Sequence, residues 1–579
     1  MNQIPKPKDP IWIYPTEAPD WRQQIVEEFN LHPVTAQILV SRGFNTLDEI
    51  NHYLYAKLPD LHPPHLFADM PAAVERVCQA LEREEGILIY GDNDVDGMTG
   101  TALLTEFLRR MGGNVLFYVA NRNSLRQSVI LDALHYGLAH ECKLIITVDC
   151  GITSTTEIEE ILNQHVDVII TDHHEPTDRL PRCCATLNPK LKDSNYPNRD
   201  LTGVGVAFKF AHAVTNRLVS DGILKANKTD LKSYLDLVAL GTISDMGALL
   251  GENRILVRYG LKELRQTQRI GLSKLLEVCD LDTNRYISAA DVASKIAPRL
   301  NSLGRIADPA KGVELLLCRN ARKAEDLALE LDLNNQERQK IERGMAEHLE
   351  ETIIENPSLL DHKAIVVVSD QWHPGVIAIL TTRLSKSYNR PVVLIAIEDG
   401  IGKGSMRSIP AFPLLPPLKD NADLLLNFGG HDFAAGLTIE ENHIDTFVKR
   451  FLEAADRSLE AKDVAPKLYL DAGVKFSDLT FDFMESLRLL EPFGNENQQP
   501  LLYCKVTQAW PPKVVGKTHL KLYLENDGRM LEGIAFGMGH DLPRLRRRNL
   551  NLELAFSPQV NLFQNKASIQ LLARDYHIL

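Results

Sequence analysis

The sequence predicts an α/β protein of several domains: two α/β lobes joined by a long helix, followed by a β-barrel. Three observations predict it. Apolar, β-branched runs alternate with helical periodicities up to about residue 250, the pattern of a doubly wound parallel sheet. From Asn320 to Asn356 there is no proline and a single glycine, Gly344, while Leu327, Leu331, Ile341, Met345, Leu349 and Ile353 recur at helical spacing. Beyond Pro466 the pattern changes to short strands with turns, such as Leu520 to Leu524.

A chain of 579 residues exceeds what one hydrophobic core organises. By pattern, residues 1–65 form a helical segment, in which Val34 to Val40 reads as amphipathic. Pro63-Pro64 and a helix start at Asp69-Met70-Pro71 mark its end. Residues 66–319 form the first α/β domain, 320–356 the connecting helix, 357–465 the second α/β domain and 466–579 the barrel. The strands Ala364–Val368 and Pro391–Ile395 belong to the second lobe.

Composition excludes several classes. With 44% hydrophobic residues the chain is not disordered, and no run of 18 apolar residues offers a membrane span. The N-terminus lacks the apolar core of a signal peptide. Eight cysteines without Cys-x-x-Cys spacing predict reduced thiols in a cytoplasm. A net charge of −13 is a poor match to broad nucleic-acid binding, so positive charge must be local. Pro543 to Arg548, with four arginines in six residues, is one such patch.

The most informative stretch is Asp92-Asn93-Asp94-Val95-Asp96-Gly97, between the apolar run Ile87–Tyr90 and a helical sequence. Carboxylates this crowded at the end of a buried strand need a cation. The stretch also matches the opening of an EF-hand calcium loop, but Leu103 stands where the closing Glu belongs, and a strand precedes it. The theme repeats. Leu144–Val148 ends in Asp149-Cys150-Gly151, Val166–Thr171 ends in Asp172-His173-His174, and Asp245 follows the apolar stretch Leu235–Gly241. In parallel sheets the ligand site lies beyond the carboxyl ends of the strands, so these tips converge there. Carboxylates with few imidazoles and no thiolate favour Mn²⁺ or Mg²⁺. Two such ions sharing a bridging Asp, about 3.5–4 Å apart, activate water and stabilise both oxygens of a displaced phosphate. Adjacent residues on an extended chain point in opposite directions, so His173 and His174 have different tasks. One binds metal; the other faces the phosphate or orients a ligand.

These motifs, in this order, resemble those of the DHH phosphoesterase superfamily, and within it the RecJ family of single-strand-specific 5′→3′ exonucleases. Arg42-Gly43-Phe44, Leu240–Asp245, Ala297-Pro298-Arg299-Leu300-Asn301 with Gly304-Arg305, Trp372-His373-Pro374-Gly375, Gly404–Ser408, Gly429-Gly430-His431 and Glu491-Pro492-Phe493-Gly494 extend the resemblance along nearly the whole chain. The resemblance implies a DHH domain, a DHH-associated second domain and a C-terminal OB-fold. It implies metal ligation by Asp94, Asp96, Asp149, His173 and Asp245, with His174 beside the scissile phosphate. Asp92 completes the catalytic set of Asp92, Asp149 and His174 from behind the ligands. Arg122, Arg299, Arg305, Ser405 and Arg407 bind substrate phosphate, and Gly430 and His431 line the second domain's face of a cleft. Tyr503, Trp510 and Phe563 are candidates for stacking on bases, against core packing as the plainer role.

The chain departs from the family pattern at Asn93, where an aromatic is usual, after Arg122, where Asn123–Val129 replaces a Gly-Tyr-Gly element, at Met246-Gly247-Ala248 after Asp245, and at Met406. The expected activity is metal-dependent 5′→3′ hydrolysis of single-stranded DNA to 5′-mononucleotides in repair and recombination. A single-strand-binding protein and a helicase are the implied partners. The alternatives are a nanoRNase or small-nucleotide phosphodiesterase of the same superfamily, and a non-catalytic replication scaffold on a DHH fold.

Overall fold

The computed structural model describes residues 9–119, 129–225, 230–563 and 566–579. The chain divides into two compact units, one of residues 14–332 with 470–579, the other of residues 1–13 with 333–469.

In the first unit a parallel sheet runs in the order Asn114–Val119, Gly86–Gly91, Cys142–Val148, Asp167–Thr171, Ala185–Leu187. The strand Gly86–Gly91 is buried along its whole length. Its alternate residues enter different cores. Ile87 and Ile89 pack with residues of the helices Val95–Arg110 and Gly203–Ser220. Leu88 and Tyr90 pack with residues of Val129–Ala139 and Thr155–Asn163. Helices on both faces explain why the strand reads as a continuous apolar run. The first strand in sequence lies between the second and the third, so the strand order reverses at the border between Gly86–Gly91 and Cys142–Val148. Such a reversal opens a crevice beyond the strand ends.

The same unit holds a closed barrel. Leu502–Val515 pairs with His519–Asn526, that with Arg529–Ala535, that with Lys566–Ile578, that with Leu550–Phe563, which returns to Leu502–Val515. The N-terminal helices Pro19–Phe29, Pro33–Ser41 and Leu47–Tyr55 share one hydrophobic core with it: Ile25, Ile38 and Leu54 lie with Phe476, Phe483 and Phe556. The amphipathic reading of Val34–Val40 is therefore corrected. Val34 through Leu39 are all buried, polar Thr35 and Gln37 included. The Gln37 amide donates to the Thr16 carbonyl and to Ser41, which is how a polar side chain is accommodated there.

The helix Ala321–Glu355 carries the chain from one unit into the other. The second unit holds a mixed sheet in the order Leu425–His431, Ala434–Glu440, Ile401–Arg407, Val392–Glu398, Ile365–Ser369. Only the pair Ile365–Ser369 and Val392–Glu398 is parallel. The strand Ile11–Ile13, in a segment expected to be helical, pairs in parallel with Lys467–Tyr469. β-branched Ile11 and Ile13 flanking Trp12 favour that choice.

Candidate metal centre

The tips of three neighbouring strands are held level by backbone bonds that continue past the strands. Asp92 N–H donates to the Val148 carbonyl, Asp149 N–H to Thr171 and Asp172 N–H to Leu187. The switch point therefore falls between Asp92 and Asp149. Asp149 takes a left-handed conformation, φ +62°, which turns its side chain out of the strand line. Asp94 caps the helix Val95–Arg110 by accepting from Gly97 N–H at 3.1 Å. Asp96, in the first turn of that helix, is fully buried and accepts from Gly203 N–H at 2.7 Å and Val204 N–H at 2.9 Å. Those are the exposed donors of the helix Gly203–Ser220, whose N-terminus favours a carboxylate. Asp245 sits at the C-terminal cap of Leu235–Ser244.

Three overlapping groups result: Asp92, Asp94 and Asp149; Asp149, His173 and His174; Asp96, His173 and Asp245. Within each, the candidate ligand atoms lie within 4.8 Å of one another. His173 Nε2 is 3.0 Å from Asp149 Oδ1, 3.6 Å from Asp245 Oδ2 and 3.9 Å from Asp96 Oδ2. His174 turns its Nδ1 to Asp172 Oδ1 at 2.8 Å. The expectation that the two rings point to opposite sides is corrected: their centroids are 4.7 Å apart. The backbone is not extended there, because Asp172 Oδ1 accepts from both His173 N–H and His174 N–H and bends it. Their partners nevertheless differ.

Burial sets the electrostatics. It pushes the Asp96 and Asp149 carboxyls well above the usual carboxylate range, and the neighbouring acids add to the effect. Burial and Asp92 raise Asp94. Burial and Asp94 push Asp245 to about 7, against the opposing charges of His174 and Lys190. Burial works against a charge on His174, but Asp172, then Asp92 and Asp245, outweigh it and lift the imidazole to about 9. Burial works against ionised Asp172 too, yet His174 and the backbone donors of Ile152 and His174 hold its carboxyl below the usual range. Asp172 and His174 thus form an ion pair at neutral pH. The raised carboxyls of Asp94, Asp96, Asp149 and Asp245 favour the protonated form and would release protons to an arriving positive charge. That behaviour, with oxygen and imidazole donors and no thiolate among the clustered groups, fits hard divalent cations.

Glycines keep the cluster tight. A Cβ on Gly203 would lie 2.6 Å from Asp149 Cβ, and one on Gly241 2.7 Å from Asp96 Oδ1. The helix Ala297–Ile306 closes against the Asp92–Gly97 loop: Asn301 Oδ1 accepts from Val95 N–H at 3.3 Å, and a Cβ on Gly304 would lie 2.4 Å from the Asn93 carbonyl oxygen. Arg305 follows, half-buried. Arg299 bonds Asp332 through Nε and Nη2 and the Lys295 carbonyl through Nη1. Arg122 lies outside the described residues.

In the second unit, Arg407 and His431 both stand opposite Ala434, Ser405 opposite Gly436 and Gly430 opposite Ala435. The four therefore share one end of the antiparallel part of that sheet. Gly430, at φ +134°, would bring a Cβ 2.4 Å from the Ala434 carbonyl oxygen, so only glycine fits. Among the stacking candidates, Trp510 is half-exposed with the Arg548 guanidinium 4.3 Å over its ring, Tyr503 meets Tyr14 edge-on, and the Phe563 side chain is outside the described residues.

Sequence reasoning missed the work of Asp172, although it opens the Asp-His-His motif that was singled out. It also missed Asn188, which donates to the His174 carbonyl at 2.9 Å. A lone Asn before a proline carries no signal of that role.

Comparison with known proteins matches the description "DHH family, N-terminal domain" to residues 86–242, "DHHA1 domain" to 361–457 and "RecJ OB domain" to 470–575. The single-stranded-DNA-specific exonuclease RecJ of Bacillus subtilis is 34% identical over 570 residues, 97% of this chain and 70% of that protein. This chain belongs to the RecJ family. RecJ of Escherichia coli is 34% identical over 564 residues, 94% of this chain and 95% of that one. The crystal structure of RecJ from Thermus thermophilus in complex with Mn²⁺ matches 98% of this chain and 79% of that chain, with a TM-score of 0.82 at 29% identity. The RecJ fold thus accounts for the parallel sheet, the mixed sheet and the barrel together.

Proposed function

We propose that this RecJ-family chain is a metal-dependent exonuclease that hydrolyses single-stranded DNA from the 5′ end to 5′-mononucleotides. The observation that carries the chemistry is the convergence of Asp92, Asp94, Asp96, Asp149, His173 and Asp245 on a shared pair, Asp149 and His173. Asp94, Asp96, Asp149, His173 and Asp245 would hold two divalent cations, Mn²⁺ or Mg²⁺. Bound there, the ions supply Lewis acidity to the phosphate oxygens and lower the pKa of water. Asp92 adds negative charge behind the ligands. His174, an imidazolium fixed by Asp172, donates to an anionic phosphate oxygen and holds the proton that a leaving O3′ needs. Ser405, Arg407, Gly430 and His431 offer hydroxyl, guanidinium, backbone and imidazole donors for a terminal phosphate. Arg305 and Arg122 are assigned to the strand's phosphates. Arg299 joins them only by exchanging Asp332 for DNA.

The barrel, with Trp510 under the Arg548 guanidinium, suits a strand of many nucleotides rather than a dinucleotide. Retention of every expected ligand argues against a scaffold without catalysis. No helix among the described residues is long and apolar enough to cross a membrane. The cysteines form no disulfide, which suits a reducing cytoplasm. Protein partners in repair and recombination would be a single-strand-binding protein and a helicase.

The test is release of mononucleotides from 5′-labelled and 3′-labelled single strands with Mn²⁺. Early release of the 5′ label with the 3′ label held on long strands is expected. Early release of the 3′ label would reverse the polarity. Hydrolysis of dinucleotides alone would favour the small-nucleotide reading.

A further inference from the structure

A cavity of about 570 Å³ shares His173 and Asp245 with the metal centre and extends to Lys190, Asn198, Met246 and Asn495. Its volume lies in the range of small-molecule sites, about 300–1,000 Å³. Two wall residues offer it a charge and an apolar contact.

The first is Lys190. Its backbone is bracketed to the metal centre: Lys190 N–H donates to Asn188 Oδ1 at 2.8 Å, and Asn188 Nδ2 donates to the His174 carbonyl. Arg199 holds the Lys190 carbonyl at 3.0 Å. The ammonium itself rests 3.3 Å from Glu175, a largely exposed carboxylate. Glu175 is the solvated partner of the pair, so another anion can replace it at the less exposed Lys190.

The second is Met246, directly after Asp245. It is a non-glycine residue at φ +57°, and its side chain is 55% exposed. Asn495 donates to its carbonyl at 2.7 Å and accepts Leu249 N–H at 3.0 Å, so a loop before the barrel holds it there. The left-handed turn is a Schellman stop of the helix Leu235–Ser244, with Met246 N–H on the Ile243 carbonyl and Gly247 N–H on the Thr242 carbonyl, and it leaves a polarisable thioether exposed beside Asp245. Asp200 and Glu496, also on the wall, only accept hydrogen bonds. Among the described residues that line the cavity, Lys190 alone is a lysine or arginine, which favours that side for a phosphate.

We propose that this cavity is a nucleotide subsite of the exonuclease, taking the nucleotide next to the scissile linkage with its phosphate on Lys190 and its base against Met246. The proposal rests on the exonuclease reading and adds residues that discriminate how the strand is seated.

The test is steady-state kinetics on single-stranded oligonucleotides with Mn²⁺. Lys190→Gln should raise KM about tenfold with little change in kcat, and Lys190→Arg should restore most of it. Met246→Gly suits the positive φ, so the loop keeps its path; it should raise KM about three- to tenfold. When one abasic position is walked from the 5′ end, the parent and Met246→Gly should become equal at a single position. Unchanged KM in both variants, or a Met246→Gly defect of equal size on every abasic substrate, would overturn the subsite and leave the exonuclease intact. A parent protein that releases no nucleotides would overturn the exonuclease reading, and this proposal with it.

Discussion

Asp172 Oδ1 and His174 Nδ1 stand 2.8 Å apart, two residues apart in sequence, and the same oxygen accepts both following backbone N–H groups. Its other oxygen accepts Ile152 N–H at 2.9 Å. Asp172 thus fixes ring, tautomer and charge of His174 at once. Asp172→Asn removes the charge and leaves one acceptor oxygen, which can serve the His173 and His174 N–H groups or Ile152 N–H but not both. Its His174 should fall from about 9 toward the ordinary imidazole range. The variant should lose about 10–100-fold in kcat, as partners that orient site residues typically do. The alkaline limb of its pH–rate profile should move down by more than one unit. An unmoved limb would show that this pair does not set the active protonation state.

Much of this was legible in the sequence because the chemistry sits at strand ends. Buried parallel strands write themselves as apolar runs, and the acids just after two of them, Asp92 and Asp149, were readable as candidate site residues, whereas Asp172 showed only as the opening of the Asp-His-His motif. Helix-borne Asp96 was readable only through its spacing from Asp94. What was not legible depends on distant pairing. The common core of the N-terminal helices with the barrel joins residues more than 400 positions apart, such as Tyr53 bonded to Asn497. No local pattern encodes that. The side on which His174 lies depends on one Asp172 oxygen bending the backbone, a choice that alternation rules for strands do not contain.

The titrations predict how stability responds to pH and metal. In the metal-free protein Asp245 has a folded pKa near 7, well above its unfolded value, so the folded state holds the extra proton between them. Stability from this group is therefore present at low pH and lost as pH rises from about 4 to about 7. His174, raised to about 9, contributes below the unfolded imidazole value and loses its share as pH climbs through 9. Both slopes run the same way. In EDTA, these two groups should lower Tm as pH rises from 5.5 to 8. Mn²⁺ should raise Tm more at pH 8 than at pH 5.5, because binding must displace fewer protons there. Differential scanning fluorimetry at the two pH values checks both; an equal Mn²⁺ shift at each would contradict the protonated cluster.

Gly203 tests how tightly the cluster is built. A methyl group there would lie 2.6 Å from Asp149 Cβ and 2.7 Å from its Oδ1, while Gly203 N–H also serves Asp96. Gly203→Ala must therefore push Asp149 away from His173 or shift the helix start that holds Asp96. Overpacking of this kind costs about 1–3 kcal/mol in stability. The sharper effect should be on Mn²⁺ affinity by calorimetric titration, weakened about 10-fold or more, since ligand placement is what moves. A stability loss with unaltered Mn²⁺ affinity would mean that Asp149 is free to relax without leaving the site.

Arg407 makes the polarity of the reaction testable on its own. It ends the strand Ile401–Arg407 opposite Ala434, as does His431 from the other side, so guanidinium and imidazole positions flank one residue. Burial pulls its guanidinium below the ordinary range, and Nη1 donates to the neighbouring Met406 carbonyl. A partly desolvated arginine gains more from an arriving phosphate than a solvated one, about 1.5–3 kcal/mol for a charge-assisted contact. Arg407→Ala should therefore cut the preference for 5′-phosphorylated over 5′-hydroxyl single strands by about tenfold or more. The proposed metal ligands lie in the other unit and are untouched, so Mn²⁺ affinity should hold. Competition between the two end chemistries in one reaction reads the ratio directly. An unchanged ratio would remove Arg407 from the seat of the terminal phosphate and leave Arg305 and Arg122 to set direction.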